Sequence, residues 1–126
     1  MAQYFLAEEA DWIPYDVRGT VMDKRVLWEG GFDIRSAIYR MPAGMVTQEH
    51  QHDEWVQVMV IEGEMKVEPV GRDAVHVREG GVYVLEPGDS HTETAVTDSL
   101  VFITQLDEHP RYLRVTAKEA PGELGL

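Results

Sequence analysis

The chain has 126 residues, with 11 Lys and Arg against 23 Asp and Glu, giving a formal net charge of −12. That length makes one domain, and the negative balance opposes binding to nucleic acid and to anionic membrane surfaces. With no cysteine the fold needs no disulfide, and any metal must be held by nitrogen and oxygen.

The N-terminal stretch MAQYFLAEEADW has no basic segment followed by an apolar one, and no apolar run reaches membrane-spanning length, so a cytoplasmic protein is expected. Residues 7–12 could form a helical turn or two, ended before Pro14, with Glu8, Glu9 and Asp11 as a solvated acidic entry. Beyond them apolar residues recur at period two, which predicts short antiparallel strands at 21–27, 34–41, 46–50, 55–61, 64–70, 74–78, 82–85, 92–95 and 100–106. Turn residues separate them: Gly30-Gly31, Pro42-Ala43-Gly44, Glu62-Gly63, Val70 to Asp73, Gly80-Gly81, Pro87-Gly88-Asp89 and Thr97 to Ser99. The expected fold class is all-β, a barrel or sandwich. Residues 1–33 would form an N-terminal arm with edge strands, 34–106 the core barrel and 107–126 a C-terminal segment. Within that last segment 111–115 is a possible further strand and 121–126 a frayed tail.

Residues 50–63 read HQHDEWVQVMVIEG, a His-x-His pair entering an apolar strand. Side chains two apart on a strand share a face, so His50 and His52 can aim two imidazoles into one cavity. His91, just past the Pro87-Gly88-Asp89 turn, can supply a third from another strand. Three imidazoles with open positions suit divalent iron, zinc, manganese, nickel or copper. His76, in the alternating Val75-His76-Val77 segment, and His109, before Pro110, are better read as surface or structural residues.

From about Met41 to Gln105 the chain resembles the cupins, small double-stranded β-helix or jelly-roll barrels. Their first motif appears here as Gly44, five residues, His50-Gln51-His52, four residues, Gln57, five residues and Gly63. The second appears as Gly80, five residues, Glu86-Pro87-Gly88, two residues, His91, three residues and Ala95. Gln57 stands where the family usually has a glutamate ligand, the following spacing is one residue short, and Ala95 replaces an asparagine. The spacing leaves Val56 as a rival occupant of the fourth position. The resemblance implies one divalent metal (Fe, Zn, Mn or Ni) held by His50, His52 and His91. Gln57 would then either ligate it as a neutral oxygen or hydrogen-bond a bound water or a strand neighbour. Without a glutamate the centre would stay near a charge of +2, as a strong Lewis acid.

If Gln57 faces the cavity, alternation puts Trp55, Met59 and Ile61 with it and Val56, Val58 and Val60 on the other face. Tyr39, Tyr83, Phe102 and Gln105 on neighbouring strands would complete a pocket, or they are barrel core. Glu93, two residues from His91, could orient an imidazole or act as a general base, or be a solvated strand residue. Asp53 and Glu54 are expected as loop charges at the cavity mouth. Trp12, Trp28 and Phe32 would cover the barrel edge or meet a second copy, and a homodimer is expected. The function expected is a metal-dependent enzyme for a small oxygenated organic substrate, with dioxygenase, lyase or isomerase/cyclase chemistry. Diketone-cleaving iron dioxygenases, lyases and cyclases, and the zinc-binding domain of some anti-sigma factors look similar in their three histidines. The alternative is a non-catalytic metal-binding or small-molecule-sensing module.

Overall fold

A computed structural model describes residues 2–17, 19–50 and 54–106, the side chains of 48–50 excepted. After a 3₁₀ turn at Ala7–Glu9 the described chain is strands and turns: β1 (Trp12–Val17), β2 (Thr20–Gly31), β3 (Ile34–Met41), β4 (Val46–His50), β5 (Val56–Glu62), β6 (Glu64–Pro69), β7 (Val75–Arg78), β8 (Val82–Leu85), β9 (His91–Ala95) and β10 (Ser99–Leu106). They form a six-stranded sheet in the order β1-β2-β3-β10-β5-β8 and a four-stranded sheet in the order β4-β9-β6-β7. Every pairing is antiparallel. This is the all-β jelly-roll expected from the sequence. Among the described residues no helix is long and apolar enough to cross a membrane.

Alternation along each strand sends one set of side chains into a single core shared by both sheets. Ala37, Tyr39, Met41, Val56, Val58, Val60, Leu85 and Val101 come from the larger sheet, and Met65, Val67, Val77 and Ala95 from the smaller. The phase on β5 is the reverse of the one expected from the histidine motif. Val56, Val58 and Val60 are buried, whereas Gln57 and Met59 are exposed. Burying three valines removes more apolar surface from water than burying a strand face that carries a glutamine amide, so the core sets the register.

The helical turn expected within residues 7–12 is the short 3₁₀ turn at Ala7–Glu9. Residues 12–17 add a strand to those expected, with Pro14 on the edge strand β1, where a missing N–H is tolerated. Trp12 packs its ring against the guanidinium groups of Arg25 and Arg40, 4.4 and 4.1 Å from its ring centre. The β2–β3 turn falls at Phe32 and Asp33, both with positive φ (58° and 57°), while Gly30 and Gly31 belong to β2. Phe32 stacks on Trp28 at 6.0 Å, and the Trp28 indole N–H donates to the Gly31 carbonyl at 2.9 Å. These contacts hold a turn that usually requires Asn or Gly.

Gly63, the last glycine of the His-x-His motif, carries the chain from one sheet to the other. Its φ is +92°, and a Cβ there would lie 2.4 Å from the Asp98 carbonyl oxygen and 2.5 Å from Ser99 Oγ. Ser99 Oγ accepts from the Glu64 N–H at 3.1 Å and donates to the Thr97 carbonyl at 2.8 Å, fastening the start of β10 to the start of β6. Gly44 also has positive φ (+87°), but a Cβ there would meet nothing within 4 Å. Gly63→Ala is therefore expected to cost roughly 2–4 kcal/mol in urea unfolding, and Gly44→Ala only about 1 kcal/mol. Equal losses would show that backbone strain alone, without the close approach, fixes Gly63.

Candidate metal centre

The turn before β9 places the site. The Asp89 N–H donates to the Glu86 carbonyl at 3.1 Å, and Gly88 takes φ +86°. From there β9 alternates His91, Glu93 and Ala95 inward, all buried, with His91 only 1% exposed. His91 Nδ1 lies 3.2 Å from the Asp89 carbonyl oxygen. A carbonyl can only accept, so Nδ1 donates in this contact. Nε2 lies 3.5 Å from Glu93 Oε1. The other carboxylate oxygen, Oε2, accepts a 2.5 Å hydrogen bond from the Tyr83 hydroxyl on β8.

Burial pushes the His91 pKa down, but the Glu93 carboxylate and the Asp89 carbonyl and charge outweigh it and the net shift is upward. Tyr83 is pushed well above the usual phenol range, first by burial and then by the charge and hydrogen bond of Glu93. Tyr39 is raised too, by burial and then by Tyr15, whose ring packs edge-on at 5.5 Å. Both phenols are therefore neutral donors near neutral pH.

Opposite β9 the register sets Thr47 against Glu93 and His50 against His91, with an irregularity between the two pairs. The backbone of the first motif histidine thus lies beside the third. The His50 side chain, His52 and Asp53 lie outside the described residues, as does His109. Accordingly no group of three metal-ligating side chains occurs among the described residues. The described part of the site has the chemistry a divalent first-row ion takes: an imidazole oriented by a backbone carbonyl, and a buried carboxylate beside it.

Of the expected pocket residues, Tyr39 and Gln105 line a cavity of about 60 Å³ together with Thr47, Val56, Leu85 and Glu93. Tyr83 and His91 line a neighbouring one of about 190 Å³. Leu85 borders both. Gln57 and Met59 point away from these cavities, and Phe102 pairs with Met59 on that outer face, beside inward Val101. Trp55 is half-buried just before β5, outside both linings. Gln57 is thus placed outside the barrel interior, and Val56 takes the inward position. His76 is a surface residue whose Nδ1 lies 2.6 Å from Glu64 Oε2. Sequence reasoning missed Tyr15 and Val17, which line the smaller cavity from β1. Their only signal was alternation in WIPYDV, masked by the proline.

Tyr83→Phe removes the donor to a buried carboxylate and should cost about 1–3 kcal/mol of unfolding free energy, with the strand spectrum unchanged. An unaltered denaturation midpoint would show that the hydroxyl contributes nothing to holding Glu93.

Comparison with solved structures finds the same fold in many proteins. KdgF from Halomonas sp. is 24% identical with a TM-score of 0.69, over 83% of this chain and 94% of that one. A predicted oxalate decarboxylase from Thermotoga maritima is 19% identical with a TM-score of 0.73, over 82% and 98%. A suspected acetylacetone dioxygenase from Methylibium petroleiphilum PM1 is 16% identical with a TM-score of 0.69, over 84% and 77%. At these identities the likeness is one of fold. No curated protein sequence matches the chain. The family model described as the ChrR Cupin-like domain matches residues 2–109, and the chain belongs to that family of cupins.

Proposed function

We propose that the chain is a metal-dependent enzyme acting on a small oxygenated organic substrate, with His50, His52 and His91 holding one divalent transition metal (Fe, Zn, Mn or Ni). The observation that carries this reading is the buried line Asp89 carbonyl, His91, Glu93, Tyr83, which orients an imidazole beside a carboxylate inside an apolar barrel. A bound metal would supply Lewis acidity toward a carbonyl or enolate oxygen and, if it is iron or manganese, redox chemistry.

The remaining work falls to the chain itself. Glu93 can hold or pass a proton at Oε1 while Tyr83 steadies the charge at Oε2. Tyr39, neutral and inward, offers a hydroxyl to an oxygenated ligand. Val56, Val58, Leu85 and Ile103 give the walls that exclude water. The exposed position of Gln57 leaves it no part in this chemistry. Similarity to proteins described as a predicted oxalate decarboxylase and a suspected acetylacetone dioxygenase supports a small oxygen-rich substrate. In the same reading the chain pairs as a homodimer, to which the exposed Met59, Val82 and Val84 of the outer sheet face lend apolar surface.

A non-catalytic metal-binding or ligand-sensing module is the second reading. The small cavity beside Glu93, about 60 Å³, favours it, being closer to the room a few waters need than to a metabolite pocket.

Metal content by mass spectrometry, on protein purified without chelators, should approach one ion per chain and fall to background in the triple variant His50→Ala, His52→Ala, His91→Ala. Iron or manganese would direct turnover assays to diketones with oxygen. Zinc or nickel would direct them to lyase and isomerase substrates. Metal far below stoichiometry after reconstitution with each ion would overturn the proposal, whereas stoichiometric metal without turnover of any class would leave the sensing module.

A further inference from the structure

We propose that Lys24 and Arg35 form a carboxylate-recognition subsite at the rim of the barrel cavity, so that the substrate is a small organic acid. The inference rests on the enzymatic reading above in setting that acid beside Glu93, and goes beyond it by naming the substrate class.

Both cations stand on the inner face of the larger sheet. On β3, alternation puts Arg35 on the face of Ala37, Tyr39 and Met41, all three buried in the core. Lys24 on β2 pairs directly with Tyr39, and Gln105 on β10 pairs directly with Arg35. In a chain of net charge −12, two cations on one inner face reverse the prevailing sign.

Lys24 and Arg35 line a concavity of about 10 Å³, which shares Tyr39, Ile103 and Gln105 with the cavity of about 60 Å³ that reaches Glu93. The smaller space holds one water-sized group, enough for a carboxylate oxygen and too little for the tetrahedral head of a phosphate. Arg35 Nε is shut off from solvent and has no hydrogen-bond partner among the described residues. The Lys24 ammonium rests 4.2 Å from the centre of the Tyr15 ring, a contact that supplies no counter-charge. Burial pulls the Lys24 pKa down, against the charge of Glu29 and with the added push of Arg35. Glu29 borders the same concavity but is exposed, and it makes no ion pair with either cation among the described residues. An anion entering from the cavity therefore meets a guanidinium with an unused N–H and a second positive charge. A carboxylate suits that fork, because its two planar oxygens match the spacing of guanidinium N–H groups. From there the rest of the ligand runs past Tyr39 and Gln105 toward Glu93, and the narrow space keeps the acid short.

The test is titration of the full chain with acetate and pyruvate, each against its amide, followed by nitrogen-edited NMR. The Trp28 indole N–H and the Gln105 side-chain amide, which border the concavity, report where the ligand sits. Both acids should bind about 10-fold or more tighter than acetamide and pyruvamide and shift those two signals. Arg35→Gln and Lys24→Met should each weaken the acids by about 10-fold and leave the amides unchanged. Arg35→Lys, which keeps the charge and loses the fork, should fall between and stands in should the glutamine variant fail to fold. Arg40→Gln removes a cation that pairs with Asp23 on the outer face, and should change nothing. Amides that bind as well as acids, phosphate that binds as well as acetate, or an equal loss in Arg40→Gln would overturn the subsite. The titrations are repeated on chelator-stripped protein. A preference for acids that survives stripping but not Arg35→Gln supports the subsite, even if the parent proves metal-free and the metal-dependent reading falls. A preference that stripping abolishes and Arg35→Gln spares belongs to the metal, and overturns the subsite alone.

Discussion

The inward phase of β5 is the constraint on which the rest of the molecule depends. Period-two alternation allows a strand only two choices, and here the choice is between a face of three valines and a face carrying Trp55, Gln57 and Met59. Once Val56, Val58 and Val60 enter the core, β10 must follow with Val101 inward, because Val101 pairs with Val60 and Phe102 with Met59. The same choice leaves β5 without an inward polar side chain. Among the described residues the inward polar groups come from other strands, with His91 and Glu93 on β9, Tyr39 on β3 and Tyr83 on β8.

Much of this was legible in the sequence. Turn residues and alternation marked nine of the strands to within a few positions, since strands bounded by Gly, Pro and Asp leave local signals. The pairing of His91 with Glu93 was also readable, because residues two apart on one strand share a face whatever the rest of the fold does. What failed was inference across a loop. The phase after His52 depends on how residues 53–55 turn, and neither spacing nor family pattern specifies that. The core decided it, and the valine reading was the one that bulk burial favoured. The strand at 12–17 went unlisted for a related reason: whether a proline sits on an edge strand depends on its neighbour in the sheet, here Asp23, which local sequence does not reveal.

The strong negative charge of the chain sits mainly outside the site. Glu8, Glu9 and most of the other carboxylates are solvated, while Glu93 is enclosed by the core. A surrounding negative field attracts divalent cations and repels anions.

The turn between β8 and β9 reaches further than its position suggests. Its Asp89 carbonyl holds the His91 ring through Nδ1, and that carbonyl is aimed by a backbone whose Gly88 adopts a conformation that other residues rarely enter. The imidazole is thus steered from an exposed loop through the main chain alone. Sequence drift at the surface of this barrel can retune its interior chemistry without altering a single residue that lines the cavity.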